Sequence, residues 1–500
     1  MGKTEAILRH GAALTARGMI LIASVAALVL LPSAIPVPAA PLPEPSYEAV
    51  AGLIDTRSTF SDGAHSIEEI VQIAQSRGFR VLFINDHDRI SLSYGLPPFR
   101  NLLRYRKEHP SIMTHGPEAF LAEIDRVARK HPRMVLIPGC ETSPFYYWTG
   151  SWFQGDLTAN DYDRRILILN FRNKEDYSAI PNLGNRFSLT YTLSLIPGLL
   201  VYIPPLLIGL ILLRWRGWAR WSGLCLVLLS ILALADYNPF RSCLFSPYGK
   251  DPGIAPYQEV IDYAEARGGL TFWNYPEQRS GIREHGPIRV HTAPYPEVLL
   301  ESRGYTGFAA IYGDWITATD PGREWDRALK EYCRGERNRA PWGVSTADFH
   351  EDGRLGIKLG AFPTTFLVKE ISAEGVLEAA RRGRMYCSRG DGEDWLRLEA
   401  FHVSGGEDGK AVMGEVLHTT RPPLVTFRVS YQRDAKRPVG ILLIRGGDLI
   451  HAFQSQTPMA VEYLDRAAPE GETTYYRVMD TRKHLTSNPI FVQYRPNLQE

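Results

Sequence analysis

A chain of 500 residues, with 56 Lys+Arg against 55 Asp+Glu and a formal charge of +1, is too long for one ordinary core and calls for two folded domains plus membrane or linker segments. The balanced charge argues against a nucleic-acid footprint, which needs a basic excess. The five cysteines (Cys140, Cys225, Cys243, Cys333 and Cys387) stand far apart with no CxxC pair. Burial as small apolar side chains is therefore favoured over a zinc ribbon or a bridge from Cys243 to Cys333 or Cys387.

The first apolar run, MILIASVAALVLLP from Met19 to Pro32, follows Lys3, Arg9 and Arg17 and precedes a Pro-rich stretch. It is either a signal peptide cleaved near Ala39 or Ala40 or a retained N-terminal anchor, and both readings place the chain after residue 42 outside the cytoplasm. After STFSDGAH, Ser66 and Glu69 form a capping box for an amphipathic helix, with Ile67, Ile70, Val71 and Ile73 on its apolar face and Gly78 as its stop. FRVLFIND then reads as a buried strand with a polar end.

Strand ends bearing Asp, His or Glu recur in VLFINDHD, MVLIPGCET, GLTFWNYPE and PWGVSTADFH. Helical patterns fall between several of them, in GPEAFLAEIDRVARK, YQEVIDYAEARGG and EWDRALKEYCRG. This alternation predicts an α/β fold, a parallel barrel with its site at the C-terminal face of the strands.

Two apolar runs interrupt it, at residues 188–213 and 221–235, separated by RWRGWARW with Arg214, Arg216 and Arg220 among tryptophans. They predict a transmembrane helical hairpin, kinked by Pro197, Pro204 and Pro205, with the Arg-rich loop cytoplasmic and residues 42–187 and 237–500 extracytoplasmic. No ionisable residue lies inside these runs, so the hairpin reads as an anchor and not as a transport path. SAEGVLEAARRG is a capped helix ending at Gly383. From Trp395 onward, short alternating runs such as LVTFRVSYQ and TYYRVMD predict an all-β sandwich. The expected organisation is a leader at 1–41, barrel at 42–187, hairpin at 188–236, barrel again at 237–390 and sandwich at 391–500.

The polar set on the strand ends is Asp62, His87, Glu141, Asp348 and His350. Three carboxylates and two imidazoles meeting at one mouth would suit Mn, Fe or Zn. With these motifs the chain resembles the PHP (polymerase and histidinol phosphatase) family of metal-dependent phosphoesterases, built on a distorted seven-stranded barrel. FSDG and its helix, NDHD for the family's T-D-H-D, IPGCE for G-x-E, NYPE for A-H-P-E and GVSTADFHEDGRLG for G-S-D-A-H carry the resemblance in order over residues 50–360. LTSNPIFV at 485–492 is similar to the end of the subgroup with an appended β-sandwich.

The resemblance implies metal-ligand roles for Asp62, His87, Glu141, Asp348 and His350. It also marks departures. The family's leading H-x-H falls on Asp55 and Arg57, its A-H-P histidine on Tyr275, and a middle histidine near Arg164 or Arg165. Asp55 can still ligate through oxygen, whereas a guanidinium has no lone pair to offer. A divalent ion ~4 Å from Arg57 would be opposed by about 8 kcal/mol at an effective dielectric of ~20, so Arg57 empties that subsite unless its head swings away.

Two functions follow as expectations. One is a membrane-anchored hydrolase of phosphate esters with a reduced centre of one or two divalent ions, in which Arg57 and Arg165 clamp the phosphate and a metal-bound water attacks. The other is a catalytically silent barrel that binds an anionic ligand or an envelope component. The expected partners are the membrane and a phosphorylated small molecule or envelope component, with no nucleic acid.

Overall fold

Residues 47–433 and 436–496 are described by the structure, a computed structural model. The leader expected at 1–41 lies outside them. The strands that build the site region are β1 (Glu48–Thr56), β2 (Val81–Ile84), β3 (Ile90–Gly95), β4 (Arg104–His109), β5 (Val135–Thr142), β6 (Tyr147–Thr149), β7 (Thr158–Asn160) and β8 (Arg165–Leu169). They continue with β9 (Leu270–Asn274), β10 (Ile282–His285), β11 (Ile288–His291), β12 (Gly307–Ile311), β13 (Trp342–Ser345), β14 (Pro363–Val368) and β15 (Met385–Ser388).

Seven of these lie side by side in the order β1-β2-β5-β8-β9-β12-β13. Just past β13 the chain returns to β1, where Phe349 N donates to Asp55 O at 3.2 Å and Arg57 N to Phe349 O at 3.0 Å. Runs such as VLFI in β2 and GFAAI in β12 are buried at every residue, as expected of strands covered on both faces. The covering helices fall where the sequence pattern puts them, at Ile67–Ser76, Pro117–Lys130, Ala255–Glu265, Glu324–Cys333 and Ala373–Arg382. The capping box is present in full: Glu69 N donates to Ser66 Oγ at 3.3 Å and Ser66 N to Glu69 Oε2 at 2.8 Å. Gly78 takes φ +83°, the left-handed value a helix stop requires.

One expectation is corrected. The seven strands are not all parallel, because β8 runs antiparallel to both β5 and β9. The link at 143–164 holds β6, β7 and no α-helix, and an antiparallel connection needs no crossover helix. The start of β8, Arg165, therefore meets the ends of its neighbours.

On its other edge β1 pairs with β14, and the same sheet continues through β15 into the C-terminal strands Leu485–Ser487, Thr473–Asp480, Pro438–Arg445 and Asp448–Gln456. A four-stranded sheet centred on Leu396–Ser404 and Leu424–Tyr431 shares a second apolar core with it, including Phe427, Val429, Ile441, Leu443 and Val478. Asn488, in the SNPI stretch, fastens the two halves: its Oδ1 accepts from Gly343 N at 2.7 Å and its Nδ2 donates to Gly343 O and Met385 O at 3.1 and 2.9 Å. The cysteines are all free, with Cys140, Cys243 and Cys387 buried.

Among the described residues two helical segments are long and apolar enough to cross a membrane, Thr192–Leu212 and Trp218–Asp236, of 21 and 19 residues. The prolines interrupt the first as expected. It is α-helical over Thr192–Leu199 and Ile203–Leu212 and tightens to a 3-10 turn at Leu200–Tyr202. A Cβ on Gly223 would lie 2.7 Å from Gly209 O, so the two helices meet through small residues, as in membrane helix pairs.

Candidate functional site

The polar strand ends meet on one side of the seven-stranded arrangement. Asp55 and Thr56 close β1, Arg57 follows, Glu141 and Thr142 close β5, Asn274 closes β9, and Asp348 lies three residues past β13. Asp55, Tyr275 and Asp348 take left-handed backbone at φ +68°, +49° and +47°. Such conformations are costly for non-glycine residues and collect at functional sites.

Arg57 is at the centre and fully buried. Its Nη2 lies 3.1 Å from Asp55 Oδ1, 2.9 Å from Glu141 Oε2 and 3.0 Å from Asp348 Oδ1, while its Nη1 is 2.9 Å from His87 Nε2. Asp55 and Glu141 are buried with it. Their outer oxygens are also engaged: Asn274 Nδ2 donates to Asp55 Oδ2 at 3.0 Å and to Glu141 Oε1 at 2.7 Å, and the Tyr275 hydroxyl hydrogen-bonds Asp55 Oδ2. Arg165 Nη1 donates to Glu141 Oε2 at 2.7 Å and its Nη2 to Asp163 Oδ1 at 3.0 Å. Asp163 is paired in turn with Arg283.

A second cluster lies nearer the solvent. His350 Nε2 lies 3.1 Å from Asp62 Oδ2 and its Nδ1 2.6 Å from Asp348 O. Asp62 Oδ2 is also 3.5 Å from His87 Nε2. Beneath it, Asp86 holds the STFS loop in place, accepting from Ser58 N at 2.8 Å, Ser58 Oγ at 2.7 Å and Ser61 Oγ at 2.6 Å.

Burial dominates the electrostatics. It pushes Asp55 up to about 7, against Arg57. Glu141 is equally buried, but Arg165 and then Arg57 outweigh that cost and hold it at about 2. The two carboxylates face the same guanidinium, so they titrate as a pair in which the proton goes to Asp55. Burial, reinforced by Arg57, pushes His87 down to about 4, so its ring is neutral at pH 7 and accepts from Arg57 at Nε2. Arg57 stays charged because Glu141, Asp55 and Asp348 together outweigh its desolvation. For His350 burial is opposed by the hydrogen bond to Asp62, which raises its pKa; for Asp62 burial is outweighed, chiefly by the hydrogen bond from His350 with Arg57 nearby, and its carboxyl is held well below the usual carboxylate range.

Eight of the residues singled out in the sequence converge here: Asp55, Arg57, Asp62, His87, Glu141, Arg165, Asp348 and His350. Of the arginine pair, Arg165 joins the site, whereas Arg164 pairs with Asp161 at 3.3 Å and lies 5.2 Å from the rings of Tyr257 and Tyr295. Asn274, Asp86 and Asp163 belong to the site and were not singled out. Asn274 and Asp86 lie inside the NYPE and NDHD stretches, where a buried polar residue at a strand end was the available signal.

As formed, the centre does not fit a divalent ion. The inward oxygens of Asp55, Glu141 and Asp348 are taken by a fixed cation, and among the described residues no group of three or more His, Cys, Asp or Glu has the geometry to hold a metal. The unmet demand is partly for acceptors: Arg57 Nε and Arg165 Nε are buried donors without a partner, alongside unpaired acceptors at Asn274 Oδ1 and Asp88 Oδ1. Beside the centre opens a cleft of about 320 Å³ whose lining includes Asp62, His87, Arg89, Asp163, Arg165 and Arg283.

No family model and no curated protein matches the chain. Solved structures similar to it include a two-domain protein from Bacteroides vulgatus described as containing a predicted PHP-like metal-dependent phosphoesterase, at 12% identity and TM-score 0.36 over 89% of this chain and 95% of that one. Another is described as a candidate metal-dependent phosphoesterase from Bifidobacterium adolescentis, at 12% identity and TM-score 0.26 over 60% and 87%. A third is an amidohydrolase from Chromobacterium violaceum with bound sulfate and no metal, at 14% and 0.26 over 61% and 88%. At these TM-scores the likenesses carry no argument about activity.

Proposed function

We propose that this chain is a membrane-anchored, PHP-like barrel protein that binds a phosphate-bearing ligand through arginine where the family it resembles uses metal. The observation that carries this reading is Arg57, buried at the meeting point of Asp55, Glu141, Asp348 and His87. A guanidinium there supplies fixed positive charge that needs no ion. Arg165 lines the adjoining cleft with a planar fork of the kind that suits phosphate oxygens, and both arginines carry a buried Nε donor in want of an acceptor. The adjoining cleft falls in the ~300–1,000 Å³ range of small-molecule sites.

For the membrane part, support comes from the two apolar segments and the arginines between them. The positive-inside rule would put that loop in the cytoplasm and the remaining described chain outside it. Reporter fusions after residues 180, 217 and 300 test this map, and an extracytoplasmic signal at 217 would reverse it.

The binding reading is tested on the full chain in detergent. The purified protein is expected to carry no stoichiometric Mn, Fe or Zn by mass spectrometry and to bind inorganic phosphate by calorimetry, with binding weakened by Arg165→Ala. A second reading, hydrolysis by one metal at the rim, draws on Asp62 Oδ2 lying 3.5 Å from His87 Nε2 and 3.1 Å from His350 Nε2. It requires Arg57 Nη1 to leave His87. Bound metal in the native protein, with aryl phosphate hydrolysis lost in His350→Ala, would favour it over the first.

A further inference from the structure

We infer that the β3–β4 hairpin is a second membrane contact, its tip seated among anionic phospholipid headgroups beside the helices. The inference rests on the reading of Thr192–Leu212 and Trp218–Asp236 as spans. β3 and β4 pair only with each other, from Ile90 opposite His109 to Gly95 opposite Arg104, so the ribbon is no part of the main sheets and is held on its inner face by side chains, with Trp148 Nε1 donating to Ser93 O at 3.1 Å and Gly95 N to the Tyr248 hydroxyl at 2.6 Å. Its turn is fixed to the end of the second apolar helix. Asn101 N and Leu102 N donate to Asp236 Oδ1 at 2.6 and 2.9 Å, and Asn101 Nδ2 donates to Asp236 O at 2.8 Å. The tip is thereby held at the level where that helix would leave the bilayer.

The side chains displayed at this level suit a lipid surface. Leu96, Leu102, Leu103 and Tyr105 are exposed by 49%, 45%, 52% and 75%, a cost for a water-facing turn and a gain in an interface. Phe187, just before the first apolar helix, stacks on Phe240, just after the second, at 5.3 Å, and both are exposed. They extend the same belt around the helix ends, where aromatic residues collect in membrane proteins. Arg104 and Lys107 are exposed, and neither is among the ion pairs formed by the described residues. Unpaired cations beside an apolar tip match the negative headgroups of phosphatidylglycerol-type lipids.

The opposite end of the ribbon reaches the candidate site, since Ile90, Ser91, His109 and Pro110 line the cleft. At ~3.3 Å per residue, the six residues of β3 set the cleft roughly 20 Å above the headgroups. A ligand captured there would have to project from the leaflet or travel along it.

The test uses the full chain in a Cys225→Ser/Cys333→Ser background, reconstituted in vesicles of phosphatidylcholine with phosphatidylglycerol and spin-labelled at one introduced cysteine. Leu103→Cys, with Tyr105→Cys as a second position, is expected to show an oxygen-to-nickel collision ratio several-fold above that of Glu470→Cys. The added pair Arg104→Glu/Lys107→Glu should lower the ratio in these vesicles and leave it unchanged in pure phosphatidylcholine. A label at Leu103 as open to nickel as that at Glu470, while Leu228→Cys reads lipid-immersed, overturns the inference and leaves the spans intact. Spin–spin broadening at Leu103 with shielding from both reagents would mean that another copy covers the tip, which also overturns it. An aqueous reading at Leu228 removes the spans and the inference together.

Discussion

Among the described residues two arginines are fully buried, Arg57 and Arg477, and their surroundings differ in kind. Arg477 makes a bidentate pair with one carboxylate, Nε to Asp326 Oδ1 at 2.8 Å and Nη2 to Asp326 Oδ2 at 2.7 Å, with Thr319 O as a further acceptor. Asp326 is on the Glu324–Cys333 helix and Arg477 on a C-terminal strand, so the pair joins the two halves. Arg57 faces three carboxylates and an imidazole beside an open cleft. One positive charge balanced by one negative is a fastener. Arg57's guanidinium is shared among three carboxylates, of which Glu141 also accepts from Arg165 and Asp55 is raised to about 7, so its charge is balanced only across a network.

The largest expected effect separates the two. Arg477→Ala and Arg57→Ala each leave buried carboxylates uncompensated and should cost about 3–5 kcal/mol, seen as lower melting temperatures in detergent. Only the Arg57 variant should be rescued by divalent metal, because only there do several ligands face one point. Mn or Zn at 100 times its Kd restores about 2.7 kcal/mol. Equal rescue of both variants, or of neither, would break the comparison.

Arg57→His sharpens it further. This change restores an imidazole where the resemblance places one and removes the fixed charge, so the variant is expected to copurify with metal at roughly one ion per chain. Mass spectrometry at the wild-type level would show that the carboxylate cage cannot be reopened.

The next effect is pH dependence. Asp55, raised to about 7, binds its proton more tightly folded than unfolded, so its contribution to stability is present below pH ~4 and lost as pH rises towards 7. His87, lowered to about 4, has the opposite slope between pH ~4 and 6.5, so the whole protein hides both. The difference in melting temperature between wild type and Asp55→Asn across pH 4–7 isolates the first, worth at most about 4 kcal/mol at 1.36 kcal/mol per pKa unit. A flat difference curve would place the shared proton elsewhere.

The smallest effect is on binding alone. Arg165→Lys keeps the charge near Glu141 and loses the fork, which should weaken phosphate binding about tenfold, or 1.4 kcal/mol, with little change in melting temperature. Undiminished binding would leave Arg165 as no more than a partner for Glu141 and Asp163.

Much of this was legible in the chain. Caps, apolar periodicity and turn residues are local, so the helix opened by Ser66 and Glu69, the β-rich run after Trp395 and the two apolar segments could be read directly. Polar residues ending apolar strands marked His87, Glu141 and Asp348 as neighbours, because strands laid side by side bring their ends together, and the resemblance added Asp55. Where those side chains point was decided only by tertiary structure. Arg57 and Asp348 are 291 positions apart, and a guanidinium on a long flexible stem could equally have turned to water. It turns inward because Asp55 and Glu141, buried by the fold, and the half-exposed Asp348 present oxygens to one point and offset the cost of burying its charge. Arg165 reaches Glu141 because β8 runs against its neighbours, a choice set by the connecting loop and invisible in the strand itself. The sequence by itself determined which residues stand at the strand ends. The folded chain decided that the cation among them is an arginine.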